Sequence, residues 1–192
     1  MGNVYGIPGG SVSEPGAVTW AANSAVAQIG GAAERRTGEL LNRLAESSEW
    51  DVFHDLRVPG SRANIDHVLV GARSVVVIDT KIWKPGFYWT LGGATRRGWE
   101  RVQHLDKQSI PMMMDRLAAR LEPTGVRMAR PVLLVWPSSA RAPMRLGWYR
   151  PAGDPRVVCP KSDAQAARLL RRLAPTGRAN PDAVTNLWGL LR

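Results

Sequence analysis

The sequence predicts a layered α/β domain of the α+β kind, with a mixed central sheet flanked by helices. Three observations predict it. Asn64–Val70 and Ser74–Trp83 are strand-like segments separated only by Gly71–Ala72–Arg73, a link short enough for an antiparallel hairpin. Val75–Ile78 and Val132–Val135 are continuous apolar runs, the pattern of central strands covered on both faces. Segments with helical apolar spacing stand before the first run, between the two and after the second.

Taken in order, residues 2–16 carry Gly2, Gly6, Pro8, Gly9, Gly10, Pro15 and Gly16 with little apolar periodicity, so residues 1–16 read as a flexible arm. From Ala17 the pattern turns helical, and Leu40, Leu41 and Leu44 form an apolar stripe. Gly30–Gly31 either breaks this segment or lies inside one helix running from Val18 to Ser47. Asp51–Val58 alternates as a strand does, and Pro59–Gly60 turns the chain. After the hairpin, Phe87–Leu91 reads as a short strand before a Gly92–Gly93 turn. Trp99–Leu121 has helical spacing at Val102, Leu105, Met113, Leu117 and Leu121, with a kink or restart expected at Pro111. Pro131–Trp136 is a strand whose place is beside Val75–Ile78, and Val157–Cys159 a last short one. Ser162 suits the N-cap of a helix through Leu173, and Pro181 the first turn of a final helix to Leu191. The core is expected over residues 17–136, with residues 137–192 a basic C-terminal extension packing on the same domain.

A chain of 192 residues is long enough for one domain with a real core. Its longest apolar stretch, Ala17–Ile29, is broken by Asn23, Ser24 and Gln28, so no membrane span is expected. The start of the chain lacks the basic patch and apolar run of a secretory signal, and cytoplasm is the expected compartment. The lone Cys159 fits a reducing environment and reads as a buried strand residue. The formal net charge of +10 is uneven: residues 1–92 hold 8 basic and 9 acidic side chains, residues 93–192 hold 18 and 7. Nucleic acid is the first partner such a surface implies, and anionic membrane the second. Nucleotide hydrolysis and histidine-metal chemistry are disfavoured, because the chain has no GxxxxGK[ST], GxGxxG, HxH, HExxH or HNH pattern.

The chemistry concentrates in four residues. Asp79 and Lys81, two apart, emerge on one face where the Val75–Ile78 strand leaves its apolar run. Asp66 sits in the preceding strand of the hairpin, and Glu39 can reach them from the helix. Charged groups inside apolar strands need pairing or a metal, and carboxylates are the hard oxygen ligands that suit Mg²⁺ or Mn²⁺. A buried Asp79–Lys81 ion pair, with Asp66 capping a turn, remains open from these residues alone.

Gly38–Glu39–Leu40, Asn64–Ile65–Asp66–His67–Val68–Leu69–Val70–Gly71 and Val77–Ile78–Asp79–Thr80–Lys81 together resemble the nuclease-related domain (NERD), a branch of the PD-(D/E)XK nuclease superfamily. The resemblance is strong over residues 36–84 and weaker to Leu121. It implies a restriction-endonuclease-like core: helix, three-stranded meander, helix and strand around a Mg²⁺ or Mn²⁺ site. Asp66 and Asp79 would be metal ligands, the Thr80 carbonyl a further one, Glu39 a ligand or water-holder, Lys81 the catalytic lysine, and Gln108 a contact to phosphate or water. The implied activity is metal-dependent cleavage of nucleic acid, DNA ahead of RNA. A non-catalytic binding or assembly module of the same fold is the alternative.

Arg96, Arg97 and Arg101, and separately Arg168, Arg171 and Arg172, are candidates for tracking a phosphate backbone. His67 is expected on the sheet face opposite Asp66. Trp83 and Trp89 are near enough to the site to stack on bases, whereas Trp99, Trp136 and Trp148 are assigned to the core. Homo-oligomerisation and a protein partner are both left open.

Overall fold

The computed structural model describes residues 1–10, 24–61, 63–106, 108–140 and 142–191, and for residues 24–29 the backbone only. The expected helix start at Ala17 and the arm residues 11–16 lie outside the described residues. Elements in chain order are β1 (Val4–Tyr5), α1 (Ser24–Glu46), β2 (Asp51–Arg57), β3 (Asn64–Val70), β4 (Ser74–Trp83), β5 (Gly86–Leu91), β6 (Ala94–Arg97), β7 (Glu100–Arg101), α2 (Ser109–Leu121), β8 (Arg127–Met128), β9 (Val132–Pro137), β10 (Met144–Trp148), β11 (Arg156–Val158), α3 (Asp163–Leu173) and α4 (Pro181–Trp188).

The two apolar runs lie side by side at the centre, as their composition demands. β4 pairs antiparallel with β3, placing His67 opposite Ile78, and parallel with β9, placing Asp79 opposite Leu133. The main sheet runs β1-β2-β3-β4-β9-β11, with β8 beside the start of β4. It is mixed, and both of its faces are covered. Val76 and Ile78 pack with Leu41 and Leu44 of α1 and with Ala166 and Leu170 of α3. Val75 and Val77 pack on the other face with Leu117 and Leu121 of α2 and Leu187 of α4. Each fully buried Leu or Val contributes roughly 1.5–3 kcal/mol of transfer free energy, so these two layers anchor β4 up to Ile78, beyond which its polar residues begin.

Caps set the C-terminal helices as expected. Ser162 accepts a hydrogen bond from the Gln165 amide at the start of α3. Asn180 does the same for Ala183 at the start of α4, and Pro181 occupies its first turn. α4 ends at Trp188, short of the expected Leu191.

Of the two alternatives for Gly30–Gly31, α1 takes the second and runs unbroken through them. Other features depart from expectation. The helix expected from Trp99 starts only at Ser109, after β7 and a single 3-10 turn at Gln103–Leu105. Pro111 therefore falls in the first turn of α2, where its missing N–H leaves no helix bond unmade, and it produces no restart. Part of the supposed arm is ordered, since Val4 and Tyr5 pair with Val52 and Phe53. Cys159 is half-buried just beyond β11 rather than inside a strand.

A second sheet, β10-β5-β6-β7, follows directly from β4. β5 and β6 turn at Gly92–Gly93, both with positive φ, which the tight two-residue hairpin turn requires. Its inner side packs Tyr88 onto the core formed by the α2 face of the main sheet. Among the described residues, no helix is long and apolar enough to cross a membrane.

Candidate active site

β4 and β3 bring Asp66, Asp79, Thr80 and Lys81 together. Alternation puts Asp79 and Lys81 on the same face of β4, at the point where the run Val75–Ile78 ends. Both aspartates are buried. The Thr80 amide donates to Asp66 Oδ2 at 2.7 Å, which ties the carboxylate of β3 to the backbone of β4. Lys81 Nζ lies 2.7 Å from Asp79 Oδ1, 3.2 Å from the Thr80 carbonyl oxygen and 3.6 Å from Asp66 Oδ2. Three oxygens thus converge on one cationic position, held here by the lysine ammonium. The Lys81 side chain is 41% exposed and so borders solvent.

Electrostatics follow from that crowding. Burial pushes the Asp79 carboxyl up to about 6, with Asp66 adding to the rise and Lys81 opposing it. Burial alone would lower the Lys81 amine, but Asp66, Asp79 and Glu34 outweigh it and hold the amine above the ordinary lysine range. Lys81 therefore stays protonated in this arrangement.

The helical acid near the site is Glu34, not Glu39. Glu39 points outward and is exposed. Glu34 is half-buried and feels Asp66, Asp55 and Asp79; burial first, then these charges, push its carboxyl up to about 8 against the pull of Lys81. The signal was present in the helix period. Glu34 stands three, four and seven residues before Thr37, Gly38 and Leu41, all buried, so it lies in line with the packed stripe. Asp55 was also missed. It is buried in β2 with a left-handed φ of 53°, an uncommon conformation for a non-glycine residue, and accepts from Asn64 Nδ2.

On the α1 side of the sheet lies a polar chain. Asn42 Oδ1 accepts from His54 Nε2 at 2.8 Å, and His54 Nδ1 meets His67 Nδ1 at 2.8 Å. With one proton per ring, His67 Nδ1 must donate and His67 Nε2 keeps a lone pair; that atom and Thr80 Oγ1 are buried with no hydrogen-bond partner among the described residues. Burial, reinforced by the neighbouring ring, pushes His54 down to about 2; burial and Lys81 push His67 down to about 3. Both rings are neutral. His67 thus lies off the carboxylate face, as alternation predicts.

Gln108 is exposed at the N-cap of α2, and its side chain makes no capping bond. Arg96 and Arg101 lie on the second sheet, with Arg97 bonded to Glu100. Arg168, Arg171 and Arg172 are exposed on α3, on the opposite side of the main sheet. Trp136 is core, as expected, and donates to Thr37 Oγ1. Trp83 is also buried, whereas Trp99 and Trp148, assigned to the core by sequence, are exposed.

The donor set suits a hard divalent cation: two carboxylates and a carbonyl, with no sulfur or imidazole among them. Among the described residues, no three His, Cys, Asp or Glu side chains are arranged to hold a metal ion. A Mg²⁺-type site asks less, because one or two carboxylates suffice when water and substrate phosphate complete the shell. The chemistry of these residues fits such an ion.

A helix, an antiparallel meander, a second helix and a parallel strand, with two aspartates and a lysine where β3 and β4 leave the core, define a restriction-endonuclease-like α+β fold. Residues 29–121 match the family model described as "Nuclease-related domain" (NERD), and a place in the PD-(D/E)XK superfamily is consistent with that match. No curated protein and no solved structure matches the chain.

Proposed function

We propose that the protein is a Mg²⁺- or Mn²⁺-dependent nuclease that hydrolyses phosphodiester bonds in DNA, acting in the cytoplasm. The observation that carries this reading is the convergence of Asp66 Oδ2, Asp79 Oδ1 and the Thr80 carbonyl on one cationic position. These three groups would hold the ion, which when bound lowers the pKa of water and offsets charge growing on the scissile phosphate.

The chain's own residues supply the rest. Lys81, displaced from the carboxylates but still protonated, places positive charge beside the non-bridging phosphate oxygens as negative charge develops there. Glu34, at the margin of the site, is the α1 side chain that can hold an attacking water. The Tyr149 phenol, pushed up by burial and by Asp79 and Asp106, stays protonated and serves as a donor near Asp79. Arg96, Arg97 and Arg101 hold backbone phosphates on the side of the second sheet; Arg168, Arg171 and Arg172 offer a second basic surface on α3. Gln108 contacts phosphate or water from the start of α2.

One observation favours a second reading. Lys81 already neutralises the candidate ligands, as it would in a DNA-binding or assembly module that uses the cluster for structure alone. A cleavage assay separates the two. Supercoiled, linear and single-stranded DNA, with an RNA arm, are incubated with Mg²⁺, Mn²⁺ or chelator, beside Asp79→Ala and Lys81→Ala. Cleavage that needs metal and both side chains is the expected result. Salt-sensitive binding without cleavage in any metal selects the binding module.

A further inference from the structure

The outward side of the second sheet carries aromatic residues, so far without a role, in one row with Arg96 and Arg101. Trp148 of β10 pairs with Trp89 of β5, Trp89 with Arg96 of β6, and Arg96 with Arg101 of β7. Directly paired residues project from the same face, so these four side chains form one line across four strands. In neighbouring rows on that face, Arg145 pairs with Phe87, and Leu91 with Ala94. The opposite face holds Tyr88 and Thr95, both buried.

Large apolar groups on this outward face are open to solvent. Trp148 is 71% exposed and Phe87 43% exposed, and Trp99, in the turn between β6 and β7, is 90% exposed. The row is also held in place. Trp89 Nε1 donates to the Gly98 carbonyl, Arg96 donates to the Trp99 carbonyl, and the Arg96 guanidinium lies 5.8 Å from the centre of the Trp89 ring. Every charged side chain in these rows is an arginine: Arg96, Arg101 and Arg145.

We propose that this face is a stacking platform for unpaired bases, and that the substrate of the adjacent site is single-stranded DNA or a single-stranded stretch within a duplex. The inference rests on the nuclease reading for the word substrate, but the binding it describes does not depend on cleavage. Aromatic rings interleaved with arginines form the surface that single strands need, with a π-face for each base and a cation for each phosphate. A duplex offers its bases only by their groove edges, because their faces are already stacked, and exposed indole rings gain little from it. A protein partner is the less favoured occupant, because the charges in these rows are all of one sign on a chain of net charge +10, which favours a polyanion.

The platform is joined to the chemistry through its buried side. Tyr88 and Tyr149 contact Trp83 at ring-centre distances of 5.2 and 5.3 Å. Trp83 lies two residues beyond Lys81 on β4, and Tyr149 directly follows Trp148. A base stacked on Trp148 would therefore sit on the sheet whose reverse side packs on Trp83, two residues beyond Lys81.

Fluorescence anisotropy in chelator, where no cleavage intrudes, tests the proposal with three labelled probes of equal length: single-stranded DNA, duplex DNA, and an abasic strand with the same phosphates and no bases. The expected order is single strand tightest. Trp148→Ala and Trp89→Ala should weaken single-strand binding about tenfold or more, Trp148→Phe should restore most of it, and abasic binding should not change. Trp99→Ala supplies a variant at a site too exposed to threaten folding. Equal affinity for the abasic strand, or single-strand binding untouched in both Trp148→Ala and Trp89→Ala, would overturn the platform. So would sedimentation showing that Trp148→Ala merely dissociates a dimer while DNA binding persists. Base-dependent binding by a chain that cuts nothing would refute the nuclease reading and leave the platform standing.

Discussion

Replacing Glu34 by Gln tests the assignment of the helical acid most directly. In the folded chain the Glu34 carboxyl is pushed from its ordinary 4.5 to about 8, by burial first and then by Asp66, Asp55 and Asp79. A carboxyl with a raised pKa binds its proton more tightly in the folded than in the unfolded state. Its contribution to stability is thus fully present below 4.5, declines as pH rises, and is lost above about 8. One pH unit inside that window corresponds to about 1.4 kcal/mol for one proton. Between pH 6 and pH 8, with the curve flattening near the upper end, the native chain should lose roughly 2 kcal/mol relative to Glu34→Gln. The histidine contributions are common to both chains and cancel in the difference. Urea melts of both at pH 6, 7 and 8 in chelator measure it, with the exposed Glu39→Gln as a further comparison. Saturating Mn²⁺ should reduce the slope, because a divalent cation among the carboxylates favours their ionised forms. A stability difference between native and Glu34→Gln chains that does not vary with pH in chelator would refute the placement of Glu34 beside the aspartates.

Three further outcomes follow from the site. Lys81→Met should abolish cleavage and tighten Mn²⁺ binding, since the ammonium no longer occupies the oxygen cluster; calorimetry showing weaker or unchanged binding would count against that competition. Mn²⁺ at about a hundredfold over its dissociation constant should stabilise the native chain by roughly 2.7 kcal/mol, and Asp66→Asn and Asp79→Asn should lose that gain, read by thermal melting. His54→Ala should destabilise the fold by about 3 kcal/mol, because it opens a buried space and leaves Asn42 and His67 without their partner; a urea-melt change below 1 kcal/mol would show that the chain of rings is not structural.

The central hairpin was legible because apolar content and turn signals agree there. Asn64–Val70 and Ser74–Trp83 have the same limits in the structure as in the sequence reading, and the parallel place of Val132–Val135 beside them follows from its equal lack of polar alternation. Asp66, Asp79 and Lys81 were legible for the same reason, since charge inside an apolar strand stands out. Glu34 was not, because Glu39 stands directly beside the leucine stripe in sequence, whereas Glu34 lies one turn before the buried residues 37, 38 and 41. The second sheet was only partly legible. Its strands are short and half-exposed, and β7 lies in a stretch whose spacing also suits a helix. Trp99 and Trp148 misled for a related reason. A large apolar residue carries the same sequence signal whether it fills a core or faces outward, and only the pairing of β10 with β5 decides which.

The short N-terminal strand has a consequence for how the protein behaves in solution. β1 lies along the outer edge of β2, and Asp51 accepts hydrogen bonds from the Asn3 amide and the Tyr5 hydroxyl while the Val52 amide bonds to the Asn3 carbonyl. β2 behind it is almost wholly apolar or buried through Leu56. Stripped of its two-residue neighbour, that strand would present unsatisfied amides and carbonyls along a long hydrophobic margin, the template on which separate molecules join edge to edge. Residues 2–5 therefore act as a selvedge along that margin, and a chain shortened by those residues is expected to associate edge to edge, an outcome that light scattering reads.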